Sequence, residues 1–171
     1  MSDAISTFNR PGLTRLGWAI AGLVFVLDQI SKWFVLDAFV GAPRVIEVTS
    51  FFNLVLAWNP GVSFGMFGSM GGYGPWILTG LACVISVFLG VWLMKAENRQ
   101  TAVSLGLILG GAAGNILDRV RFGAVVDFLD VHGMGYHWPA FNVADSGITV
   151  GAAILILESL FSGSEEPKTD V

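Results

Sequence analysis

Four stretches of this 171-residue chain, Leu16 to Leu36, Pro75 to Met94, Thr101 to Val120 and Val143 to Phe161, approach the ~20 apolar residues that one helix needs to cross a bilayer. In hydrocarbon each backbone N–H and C=O must find its partner inside the segment, so runs of this length read as helices. Only 13% of the residues are charged, about half the share in an average soluble domain. The expectation is an all-α integral membrane protein of four transmembrane helices. It is organised as one membrane-embedded domain, 1–161, followed by a polar tail, 162–171. Arg10 and Arg15 precede the first run as they would in a secretory signal. Asp28 and Lys32 interrupt its apolar core, however, and no small-x-small cleavage site follows, so the segment is read as retained.

An even number of spans puts both termini on one side. Arg10, Arg15, Lys95, Arg99 and Lys168 would then share the terminal side, against Arg44, Arg119 and Arg121 on the other. Five against three places the termini in the cytoplasm and segments 37–74 and 121–142 outside. Within the first of these, "RVIEVTSFFNLVLAWN" (44–59) is rich in β-branched and aromatic residues with partial alternation, and "GMFGSMGGYGP" (65–75) is a Gly-rich turn region. A small sheet at the outer membrane face is expected, with Phe51, Phe52, Trp58, Phe64, Phe67 and Trp76 suiting an interfacial aromatic belt.

Gly106, Gly110 and Gly114 recur at intervals of four on the third helix, and Gly147 and Gly151 on the fourth. This spacing lets helix backbones approach closely where lipid supplies no hydrophobic drive. Cys83 lies in an apolar run without a partner and reads as a small buried residue. The net charge of −4 owes much to Glu158, Glu165, Glu166 and Asp170 near the end and says little about partners; no basic patch points to nucleic acid.

The polar residues inside the spans are more informative. With the N-terminus inside, Asp28 lies roughly 12 Å below the outer end of the first helix, and Asn115 roughly 8 Å below that of the third, at 1.5 Å of rise per residue. Asp145 starts the fourth helix from the same surface. Asp28 and Lys32 stand at i and i+4 and can pair; Asn115, Asp118 and Arg119 also share a face. Charges facing a bundle interior and one another are how a membrane tolerates them. Asp127 and Asp145 are left without a basic partner of their own. Two such carboxylates brought together cannot both ionise easily. One then takes a proton from water while the other donates to a carbonyl oxygen or leaving amine.

This chemistry needs no metal or other cofactor. His132 and His137, five apart in an outer loop with no Cys or HExxH pattern, read as solvated or interfacial. Ser31 and Lys32 are adjacent but point about 100° apart on a helix, against a serine/lysine dyad. A small proton-coupled carrier or channel, using Asp28, Lys32, Arg119 and Asp145 as a relay, is the competing reading. It fits less well because the polar residues gather in the outer part of the bilayer.

"DQISK" (28–32), "NPGVSFG" (59–65), "GGAAGNILDR" (110–119), "VVDFLD" (125–130) and "FNVADSGI" (141–148) occur in an order and spacing that resembles the bacterial lipoprotein signal peptidases, or signal peptidase II. The blocks extend from the first helix to the fourth. The resemblance implies an aspartic endopeptidase of the inner membrane that removes the signal peptide from diacylglyceryl-modified prolipoproteins, just before the lipidated cysteine, towards the periplasmic face. Asp127 and Asp145 match the catalytic pair of the family. Asp28, Lys32, Asn59, Asn115, Arg119 and Asn142 match its supporting residues. The family fold, four transmembrane helices with a small periplasmic β-cradle and a loop, agrees with the outer segments read above. Membrane lipid and a globomycin-type inhibitor are the further partners it implies.

Asn142, three before Asp145, can cap the fourth helix. A first-turn position favours an ionised Asp145, leaving Asp127 as the protonated member. Asp118 and Asp130 are expected to be supporting or solvated. Phe64 and Phe128 either meet acyl chains or pack. The eighteen positions from Asp127 to Asp145 are expected to be a loop that lets the two meet and that moves.

Overall fold

The computed structural model describes residues 10–41, 45–61 and 73–162. Arg44, Phe64, Phe67, Lys168, most of the Gly-rich stretch 65–75 and nearly all of the polar tail lie outside them. Four helices are each long and apolar enough to cross a membrane: α1 (Pro11–Ala38), α2 (Gly74–Met94), α3 (Arg99–Phe122) and α4 (Val143–Ser162). They extend the four apolar runs by a few residues, because capping groups sit outside the hydrocarbon-length core. Pro11 opens α1 with its preset φ. Asn98 accepts the Thr101 N–H at 2.8 Å to cap α3, and Gly123, at φ 72°, ends it.

α3 is the central helix, and its small residues explain why. A methyl group added at Gly106 would lie 2.5 Å from the carbonyl oxygen of Gly17 on α1, and one at Gly110 would meet that of Ala21. On another face, Gly111 abuts the Ala144 carbonyl, and Gly151 of α4 would place a Cβ 2.6 Å from that of Ser104. Backbone meets backbone on both sides of α3, as expected for packing that relies on close approach. Leu93, Ala96, Ala102, Leu105 and Leu109 fill the contact with α2 and α1. The outward faces carry large apolar residues such as Trp33, Val87, Phe88 and Phe161. Cys83 is among these exposed residues rather than buried, because α2 turns most of its circumference outward.

Between the helices runs a four-stranded antiparallel sheet in the order β1 (Val45–Thr49), β2 (Phe52–Asn59), β3 (Val125–Gly133), β4 (Tyr136–His137). β1 and β2 coincide with the extended segment read from the sequence. The stretch after α3 does not form the expected loop. It is a nine-residue strand, β3, buried along its first half, followed by a tight hairpin. Met134 and Gly135 turn that hairpin with φ of 50° and 81°, the two positive values a primed hairpin turn requires. Phe141 then bonds back to β3 through Leu129 (N to O, 2.8 and 3.1 Å). Phe128 packs with Val35 and Phe39 under Ile46 and Leu54, joining the sheet to the end of α1. Asp127 is therefore held in a buried strand that faces the ends of α1, α3 and α4.

Candidate active site

Strand β3 has a period of two, so Asp127 and Asp130, three apart, point to opposite faces. Asp127 turns towards the helices. Its Oδ1 accepts from Asn142 Nδ2 at 2.8 Å and its Oδ2 from Asn59 Nδ2 at 2.9 Å. Asn59 ends β2 opposite Val125, and its Oδ1 takes the Gly61 N–H at 2.8 Å. Gly61 has φ 79°, a left-handed turn that glycine adopts without strain and that folds the chain back onto the asparagine.

Asn142 caps α4 reciprocally. Its Oδ1 accepts the Asp145 N–H at 2.8 Å, while its own N–H reaches Asp145 Oδ2 at 3.3 Å, a capping box with Asp in place of Glu. Asn142 thus touches both carboxylates. Asn115 of α3 completes the arrangement by donating from Nδ2 to Asp145 Oδ1 at 2.8 Å. Asp127 is 2% exposed and Asn142 fully buried, whereas Asp145 and Asn59 are partly open to the surroundings. Burial pushes the Asp127 carboxyl up to about 6; the nearby Asp145 charge adds to this, and the Asn59 and Asn142 hydrogen bonds partly oppose it.

Beneath the acids lies a buried ion cluster. Lys32 Nζ sits 2.8 Å from Asp28 Oδ2 and 2.8 Å from Asp118 Oδ2, and donates to Asn115 Oδ1 at 3.1 Å. All three ammonium hydrogens have acceptors. Gln29 Nε2 adds bonds of 3.1 Å to both Asp28 and Asp118. The remaining lone pairs of these carboxylates grip backbone. Asp28 Oδ1 takes the Ala144 N–H at 2.9 Å, and Asp118 Oδ2 takes the Val126 N–H at 3.1 Å. Ala144 immediately precedes Asp145, and Val126 immediately precedes Asp127.

The sequence model of the family described as Signal peptidase (SPase) II matches residues 20–161 of the chain. The chain belongs to the signal peptidase II family. It is 48% identical to the lipoprotein signal peptidase of Ralstonia nicotianae over 84% of this chain and 83% of that one, and 49% identical to that of Cupriavidus necator over 86% and 85%. A solved structure described as a bacterial membrane enzyme, at 2.3 Å resolution, superposes with a TM-score of 0.76. It is 29% identical and covers 96% of this chain and 97% of the other. As a signal peptidase II family member, the protein is a multi-pass membrane peptidase with a small antiparallel sheet.

Of the residues singled out in the sequence of this signal peptidase II homologue, Asp28, Lys32, Asn59, Asn115, Asp127, Asn142 and Asp145 form one continuous hydrogen-bonded set. Arg119 stands beside it without joining. Among the described residues its Nη1 bonds only the Asn115 carbonyl of its own helix, at 3.5 Å, and its Nε has no partner. It borders Gly61, and Asp145 and Asp127 are both within range of its charge.

Gln29 was not singled out from the sequence, because position i+1 from Asp28 points away from that residue's face; its longer side chain spans to Asp118. Asp118 itself is buried and pairs with Lys32 rather than with its neighbour Arg119. Asp130 is neither solvated nor near Asp127's partners. Although burial raises its carboxyl, bonds from His137 Nδ1 and Asn53 Nδ2, each 2.9 Å, hold it below the usual carboxylate range. His137 in turn stacks on His132 at 4.8 Å between ring centroids. These groups fasten the β3–β4 hairpin. Among the described residues no cluster of three His, Cys, Asp or Glu could hold a metal ion.

Proposed function

We propose that this signal peptidase II family member is an aspartic endopeptidase in which Asp127 and Asp145 form the catalytic pair. The observation that carries the reading is Asn142, which binds both carboxylates at once and so sets them on one small volume. Asp127, pushed up to about 6, keeps its proton well above the ordinary carboxylate range and gives it up as pH rises through about 6. Asp145, in the first turn of α4 where the helix dipole favours negative charge, serves as the base.

Water attacks the scissile carbonyl carbon as its proton passes to Asp145, and Asp127 donates its proton to the carbonyl oxygen. The resulting gem-diol collapses when Asp145 returns a proton to the leaving nitrogen, the C–N bond breaks, and a diol hydroxyl restores the proton of Asp127. Arg119 and the partly exposed Asn59 are placed to meet substrate at the open side of the pair. The curated relatives are named lipoprotein signal peptidases. On that ground the proposed substrate is a diacylglyceryl-modified prolipoprotein, cut just before its lipidated cysteine. The enzyme would lie in the bacterial inner membrane, with both termini cytoplasmic and the acids towards the periplasm. A globomycin-type peptide is the expected inhibitor. A relay for proton transport is less well supported, since the charges cluster at one end of the bundle.

The test is cleavage of a diacylglyceryl prolipopeptide by detergent-purified wild type, Asp127→Asn and Asp145→Asn. Loss in both is expected. Full activity in either variant removes that residue from the pair.

A further inference from the structure

An asparagine amide can be reversed, so its orientation is set by its neighbours' fixed roles as donors or acceptors. Each of the three asparagines that touch the acids has such a neighbour. The Gly61 N–H can only donate, so the Asn59 oxygen must face it and the NH2 must face Asp127. The Asp145 N–H can only donate, so Asn142 likewise turns its NH2 to Asp127. For Asn115 the orienting donor is a side chain, the Lys32 ammonium at 3.1 Å, assisted by Asn142 Nδ2 at 3.2 Å. Reversing the Asn115 amide would set its NH2 against both of these donors and its oxygen against the Asp145 carboxylate. Lys32 is 2% exposed, which leaves no water to relieve such a mismatch.

We infer that Lys32 is a positioning residue for the acid pair, acting through Asn115: by fixing the amide oxygen, it commits the Asn115 NH2 to Asp145 Oδ1 and keeps that oxygen an acceptor. The base then presents its other oxygen, Oδ2, held among the described residues by the 3.3 Å contact from the Asn142 N–H, to water. Lys32 touches neither acid of the pair directly; its hold on the orientation of Asp145 Oδ1 travels through one amide, beside the backbone anchors that it ties together through Asp28 and Asp118. The inference rests on the assignment of Asp127 and Asp145 as the pair.

Steady-state kinetics of cleavage separate this role from a structural one. Asn115→Asp keeps an acceptor for Lys32, and adds charge attraction to it, but withdraws the donor to Asp145. Its kcat is expected to fall roughly 10- to 100-fold, with KM within about twofold and thermal stability in detergent retained. Wild-type kcat in that variant overturns the inference. Asn115→Ala, Lys32→Met and the double variant form a cycle. Lys32→Met is expected to lower kcat by a smaller factor in the Asn115→Ala background than in wild type; an equal factor in both backgrounds means that Lys32 does not act through Asn115, and overturns it. Should Lys32→Met not fold, Lys32→Gln, which keeps a donor for the Asn115 oxygen, takes its place in the cycle and is read in the same way. Asp127→Asn and Asp145→Asn are assayed alongside. Activity there sinks the underlying pair assignment, whereas their inactivity with an unaffected Asn115→Asp sinks only the role of Lys32.

Discussion

Replacing Asn59 by Ala changes the proposed acid without touching it. Asn59 Nδ2 donates to Asp127 Oδ2 at 2.9 Å, and a donor of this kind stabilises the carboxylate over the carboxylic acid. Its loss therefore raises the Asp127 value further above about 6. A hydrogen bond to a charged group contributes ~1.5–3 kcal/mol. Asn59 is only partly buried, so water replaces part of that donation. Taking about one third to one half of the lower value leaves roughly 0.5–0.8 kcal/mol, or about half a pH unit at 1.36 kcal/mol per unit.

Because kcat/KM reports the free enzyme, its fall at alkaline pH follows loss of the Asp127 proton. In wild type the limb is expected near pH 6, and in Asn59→Ala about half a unit higher. The assay is kcat/KM for a diacylglyceryl prolipopeptide between about pH 4.5 and 8.5 in one detergent, with thermal melts to show that both proteins stay folded across that range. The variant is slower at its optimum, having lost a contact that orients the acid, yet it loses proportionally less activity above its limb. A limb that moves to lower pH, or does not move, would refute both the assignment of the limb to Asp127 and the direction of the Asn59 effect.

Burial of Asp127 also predicts stability. Its folded value of about 6 lies above the ordinary 3.8, so its contribution favours the fold fully below pH 3.8 and is lost as pH rises through 6. The difference corresponds to about 3 kcal/mol as an upper bound, so the melting temperature of wild type should fall between about pH 4.5 and 7.5 more than that of Asp127→Asn, which loses cleavage and has no proton to lose at this site. An equal fall in both proteins would contradict the desolvation argument. Gly110→Val should force α1 and α3 apart, since even a Cβ meets the Ala21 backbone, at ~1–3 kcal/mol or more; wild-type stability in detergent would show that the interface yields. Asp130→Asn should weaken the β3–β4 hairpin through lost bonds to His137 without removing cleavage, and an inactive but fully folded variant would place Asp130 in the chemistry.

The helices were legible because span length is a local property: about twenty apolar residues suffice to mark each one, whatever packs beside it. The glycine stripes likewise announced the faces of α3 and α4 on which backbones meet. β1 and β2 were legible from their β-branched and aromatic content. β3 was not, and the reason is physical. "VVDF" is buried on both faces, so the polar/apolar alternation that marks a half-buried strand is absent, and an apolar run with two acids resembles a loop leading into a helix. Among the site residues, the pairing of Asp28 with Lys32 follows from helical spacing alone. The gripping of Ala144 and Val126 by Asp28 and Asp118 does not, since it joins elements 116 and 8 residues apart through backbone N–H groups that no side-chain pattern records.

That gripping bears on why a cation and two anions are buried at all. A buried ion cluster is weak evidence for stability, because well-packed apolar residues of similar volume often serve as well or better. Apolar replacements could fill the space of Lys32, Asp28 and Asp118, but they could not accept the two N–H groups. One of these belongs to the residue before Asp145 and the other to the residue before Asp127. Lys32 lies 2.8 Å from both Asp28 and Asp118, so one ammonium sets the distance between the two anchors. The start of α4 and the start of β3 are thereby referred to a single point on α1. Errors in how the helices pack would otherwise reach the acids independently; tied to a common cation, the two acids move together and keep their separation. On this argument the desolvation cost of the cluster is offset by positional accuracy, and changes to Asp28 or Asp118 should impair cleavage more than they impair folding.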